Sequence, residues 1–140
     1  RFVFALRLNF VFYMNFYSAI KEYAEADINS KIESASKHDF IKIVLEEVYN
    51  NMKTLSYSIN NEEKTSKNKS SSFAKIITGL TILMNSLDFK NGEPIASNLL
   101  KLYDYCKNKI IESYKSLNTE GINICIEIIE DLLSAWKKIA

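Results

Sequence analysis

The stretch "DFKNGEPIASNLLKLYDYC", residues 88–106, holds the only proline of the chain and one of its three glycines, directly ahead of a long run with apolar residues at helical spacing. It reads as a corner where one helix hands over to the next. Proline suits the first turn of a helix, because the N–H it lacks would find no partner there. Pro94 therefore marks a helix start, and Gly92 supplies a permissive backbone just before it. From Ile95, the residues Leu99, Leu102, Tyr103, Cys106, Ile110 and Tyr114 form one apolar stripe. At 1.5 Å per residue such a helix is roughly 30 Å long.

Working outward, Phe73, Ile76, Ile77, Leu80, Leu83, Met84 and Leu87 recur mainly every three or four residues, which predicts a helix ending near Leu87. Gly79 inside it costs about 1 kcal/mol relative to alanine, so it points to the close approach of a neighbour. The polar run "NNEEKTSKNKSSS", residues 60–72, reads as the one long connection or a frayed helix start. Before it, Phe40, Ile41, Val44, Leu45, Val48, Met52, Leu55 and Ile59 predict a helix over residues 36–59, with Ser36 as N-cap and Asp39 in an acidic first turn. After the corner, Thr119 is a candidate N-cap for a last helix carrying Ile122, Cys125, Ile126, Ile129, Leu132, Leu133 and Trp136. The expected fold class is all-α: an antiparallel four-helix bundle with an N-terminal arm or short extra helix.

The composition agrees. With 140 residues, 47% hydrophobic and 25% charged, the chain suits one soluble domain, and three glycines with one proline are too few for a fold built from many tight turns. A net charge of +1 gives no large field to draw in nucleic acid or an anionic membrane. Residues 1–13, "RFVFALRLNFVFY", are apolar apart from Arg1 and Arg7 but too short to span a bilayer. They are read as an apolar N-terminal extension, native or not, with a membrane anchor and a short packing arm as alternatives. Residues 14–140 are read as the single domain.

Chemistry is sparse. Cys106 and Cys125 lack CxxC spacing and read as buried, reduced thiols. A turn near Asn118 would leave them offset by roughly 7 to 8 Å along the helices, too far for a disulfide. Glu127, Glu130 and Asp131 share one helical face, but the Glu-x-x-His pairs of di-metal bundles are missing, so this is read as a solvated face. His38 has no nucleophile or acid in an identifiable motif around it, and no P-loop, GxGxxG, HExxH or GxSxG occurs. No enzyme activity, metal or cofactor is expected. What exceeds the needs of a bundle is apolar surface. Ile124 and Ile128, Leu100 and Ile111, and Ile43 and Ile82 all lie beside the main stripes. Such helices either pack further layers or leave a groove for a partner.

The segments 83–113 and 128–139 carry a recognisable likeness. Asn85, Leu87, Asp88, Phe89, Gly92, Ala96, Leu99, Leu102, Tyr103 and Tyr105, with Ala135 and Trp136 closing the last helix, match a helix–corner–helix pattern ending in L-Y-x-Y. In this the chain resembles the FliS family of flagellar secretion chaperones. The N-terminal half departs from that pattern: Lys37 stands in place of a proline, Leu45 and Glu47 in place of Tyr and Gly, and Tyr17 and Tyr23 are spaced differently.

The resemblance implies a cytoplasmic chaperone that binds the disordered C-terminal segment of flagellin, prevents its premature polymerisation and keeps it competent for type III export. It implies flagellin as partner, with a co-chaperone or an export-gate component as a further one, and neither nucleic acid nor membrane. The client groove is expected to draw on Ile43, Ile82, Leu99, Leu100, Tyr103, Ile111, Ile124 and Ile128. A displaceable arm over it is expected to involve Phe16, Tyr17 and Tyr23. The alternative is a helical adaptor or self-association module that uses the same apolar surface.

Overall fold

The computed structural model describes residues 37–61 and 66–138. The extension at residues 1–13, the Ser36 cap and the arm residues Phe16, Tyr17 and Tyr23 all lie outside these. The chain divides into two compact units, residues 1–40 and 41–140. The second unit carries the bundle, whose first helix begins just before the boundary, at Lys37.

Four helices make up the described residues: α1 (Lys37–Asn60), α2 (Ser66–Asn85), α3 (Ile95–Ser116) and α4 (Glu120–Lys138). Each forms where the apolar spacing predicts it, with Asp39 in the first turn of α1 complementing the helix dipole. The polar run at residues 60–72 resolves in favour of a helix start, since α2 already begins at Ser66 and buries Ser72.

The helices run alternately up and down as an antiparallel four-helix bundle. Phe73 of α2 stacks on Tyr114 of α3, with ring centroids 4.2 Å apart and planes 17° from parallel. On the other side of the bundle, Ser56 of α1 donates to Asn123 Oδ1 of α4 at 3.0 Å, and Lys137 reaches Glu46 at 3.8 Å. Between them Leu45, Val48, Met52, Leu55, Ile76, Leu80, Leu83, Cys106, Ile110, Ile122, Cys125 and Ile129 are almost completely removed from water. Burial at this scale, roughly 1.5–3 kcal/mol for each large aliphatic side chain, is what holds the helices together. Gly79 faces α1, and a Cβ there would collide with the Val48 side chain, the close approach that the sequence predicts.

Two corners set the register. At the α2–α3 corner, Asp88 Oδ1 accepts the N–H groups of Lys90 and Asn91 at 3.0 and 3.1 Å. Gly92 N–H donates to the Asp88 carbonyl at 2.8 Å, so closely that a Cβ on Gly92 would lie 2.5 Å from that oxygen. Pro94 occupies the cap position of α3.

The α3–α4 corner differs from expectation in two ways. Thr119 takes the cap position, its carbonyl accepting the Asn123 N–H at 2.9 Å, but the side-chain cap bond comes from Asn118, whose Oδ1 accepts the Glu120 N–H at 2.8 Å. Asn118 stands two residues ahead of that amide, the spacing of an Asx turn. The register also shifts. Gly121 packs against Ser113 and Lys109, so the start of α4 lies beside the turn of α3 before its last one, and the end of α3 overhangs it. That overhang cancels the offset expected of the cysteines. Cys106 and Cys125 are level, and the Cys125 thiol donates to the Cys106 carbonyl at 3.8 Å, both thiols being free.

The turn that makes the overhang places Leu117 at φ 55°, ψ 39°, the left-handed region. Only glycine enters it without a steric cost, commonly about 1 kcal/mol for other residues. Leu117 is exposed, so no packing offsets that cost. Leu117→Gly is expected to stabilise the fold by about 1 kcal/mol, read as a raised urea midpoint with an unchanged slope.

Candidate functional site

Helical phase sorts seven of the eight candidate groove residues onto three seams. On α4, Gly121, Ile124 and Ile128 recur at i, i+3 and i+7 and so share one side, and Gly121 fixes that side as the one toward α3. Ile124 remains 41% exposed and Ile128 half-buried. On α3, Leu100, Tyr103 and Ile111 share a ridge with Tyr114, whose ring stacks on Phe73, so they look toward α2. Leu100 and Ile111 are half-buried there, whereas Tyr103 is a core side chain at 4% exposure. Leu99 lies on the stripe of Cys106 and Ile110 and is half-buried.

The remaining two fall on the α1–α2 seam. Val44 and Val48 bracket Gly79, which in antiparallel helices puts Ile43 level with Ile82. Ile82 is buried at 7% exposure and Ile43 half-buried. The structure thus brings together Ile124 with Ile128 and Leu100 with Tyr103 and Ile111, and sets Ile43 and Ile82 at one height along α1 and α2. It does not gather all eight in one groove.

The α3–α4 seam is the most open of the three at its side chains. It ends, under the overhang of α3, in a cleft of about 260 Å³ lined by Lys109, Glu112, Ser113, Ser116, Asn118, Glu120, Gly121 and Ile124. Lys101, Tyr105 and Lys109, spaced by four, form the facing ridge of α3. The Lys109 ammonium stands 5.8 Å from the centre of the exposed Tyr105 ring and 3.7 Å from Glu112. Tyr105 is therefore a seam residue absent from the expected groove. Its place in the L-Y-x-Y pattern was a signal, but only the register of α3 against α4 shows which side it takes.

Burial, and then the neighbouring Cys106 thiol, push the Tyr103 hydroxyl up to about 12, so it stays protonated at physiological pH. The hydrogen bond shared with Cys125, then burial, push the Cys106 thiol up, while the same bond, helped by the Lys109 charge, pulls the Cys125 thiol down. Among the described residues no group of three or more His, Cys, Asp or Glu side chains could hold a metal ion, and no helix is long and apolar enough to cross a membrane. Glu127, Glu130 and Asp131 are all exposed, as a solvated face should be.

The sequence model of the family described as "Flagellar protein FliS" matches residues 19–140, which takes in all four helices and both corners. The chain belongs to the FliS family. Among curated proteins, it is 26% identical over 123 residues to the flagellar secretion chaperone FliS of Salmonella typhimurium, covering 88% of this chain and 90% of that one. It is 22% identical over 121 residues to the FliS chaperone of Vibrio cholerae, covering 86% and 88% of the two chains. The flagellar secretion chaperone FliSB of Pseudomonas aeruginosa is 22% identical over 127 residues, 87% of this chain and 95% of its own. The matches to these relatives span most of both chains at low identity. Its departures at Lys37, Leu45 and Glu47 fall in α1, whose apolar stripe is intact.

Proposed function

We propose that the chain is a cytoplasmic export chaperone that binds the C-terminal segment of flagellin, holds it as a monomer and keeps it competent for flagellar type III secretion. The observation that carries this reading is an apolar strip, exposed at Ile124 and half-buried at Ile128, on a helical bundle of the FliS family. A chaperone of this kind needs no catalytic group. It needs helices that do not deform, with apolar surface left over for an amphipathic segment to lie against.

Ordering a disordered client costs conformational entropy, so contact is expected along more than one seam. The separation of the candidate residues onto three seams suits a client that wraps the bundle better than one that fills a single pocket. A co-chaperone or an export-gate component is proposed as a further partner. Co-expression with flagellin, intact or lacking its C-terminal segment, tests the reading. Co-purification of the intact form alone is expected, and equal recovery of both forms, or of neither, would overturn it.

A further inference from the structure

The two rims of the α3–α4 seam differ in charge. On α4, Glu120 stands four residues before Ile124, Glu127 three after it, and Asp131 three after Ile128, so the apolar strip is edged by carboxylates along its length. All three are exposed, and among the described residues none of them forms an ion pair. On the α3 rim stand Lys101 and Lys109, the latter beside Glu112. The cleft that closes the seam adds the Glu120 carboxylate and the Asn118 side chain, beside the Lys109–Glu112 pair.

From this asymmetry we infer that the seam takes an amphipathic helix whose apolar stripe covers Ile124 and Ile128 and whose flank toward α4 is lined with Lys or Arg. The strip supplies the area and the carboxylates supply the selection, since charges at the edge of an interface choose partners more than they add affinity. For a helix lying in a seam, reversing its direction exchanges its two flanks. An occupant with one basic flank is therefore turned so that this flank meets the carboxylates of α4.

This inference rests on the chaperone reading for its natural occupant but is tested without flagellin. Two synthetic helical peptides with the same leucine stripe, one flanked by lysine and arginine and the other by glutamate, are titrated against the full chain by fluorescence anisotropy. The basic peptide is expected to bind about tenfold tighter, a preference that shrinks at high salt. Glu127→Lys with Asp131→Lys should abolish or invert the preference, while Asp104→Lys, on an exposed part of α3 away from this seam, should leave it. Ile124→Ser should weaken both peptides.

Equal binding of the two peptides, or a preference that survives the double reversal, would overturn the inference. Binding of the basic peptide that is indifferent to Ile124→Ser would overturn it too, since attraction to the acids alone would then suffice. Circular dichroism checks that each variant remains folded. Failure to bind flagellin with the peptide preference intact would instead strike the chaperone reading.

Discussion

Replacing Ile124 and Ile128 together by Asp is expected to weaken binding of a flagellin C-terminal peptide by about a hundredfold while leaving helix content unchanged. The size follows from two aliphatic side chains that a client would bury, at roughly 1.5 kcal/mol each for partly exposed groups. The selectivity follows from helical phase. The core stripe of α4 is Ile122, Cys125, Ile129 and Leu133, all buried, and neither substitution falls on it. New carboxylates on the seam face water in the free protein but would be desolvated under an apolar client. Calorimetry of the peptide titration, with circular dichroism of each variant, separates the outcomes. Unaltered affinity would remove this seam from the client surface, and a collapsed fold would show that the pair holds the bundle together.

Gly79→Ala is the second large expectation, and its sign opposes helix propensity. Alanine in place of glycine inside a helix ordinarily gains about 1 kcal/mol. Here the added methyl group would meet Val48, itself completely buried, with Val44 behind it. Overpacking of that kind costs about 1–3 kcal/mol, so α1 and α2 must separate or Val48 must leave its rotamer. A net fall in the melting temperature of several degrees is expected for a domain of this size. Val48→Ala in the same chain should recover part of the loss, giving a coupling of about 1 kcal/mol or more between the two sites in a double-mutant cycle. Additive effects, or a rise in melting temperature for Gly79→Ala alone, would contradict the close approach.

Much of the fold was legible because its signals are local. Apolar spacing placed the four helices of the described residues, and Gly92 with Pro94 marked the α2–α3 corner, since backbone permissiveness and a missing N–H act within a few residues. Gly79 even announced a neighbour, because glycine inside a good helix has few other reasons to be there. The site was less legible. That Ile124 and Ile128 lie off the core stripe could be read from their spacing, yet which seam they border depends on Gly121 meeting Ser113 and Lys109, a contact between different helices. The cysteines show the same limit. Counting residues from the turn assumed helix ends that are level, whereas Leu117 and Asn118 bring the chain back beside α3 before α4 starts. Ile82 likewise looked like surplus apolar surface, and Tyr103, on its helix's main stripe, was also expected in the groove; packing buries both.

Cys106 and Cys125, level across the α3–α4 seam and both without exposure to solvent, turn that seam into its own clock. A bulky thiol reagent reaches neither sulfur while the two helices stay together, so each labelling event records a moment when they have parted. The rate of labelling then measures how often this wall of the bundle opens. A client lying along the seam would slow it.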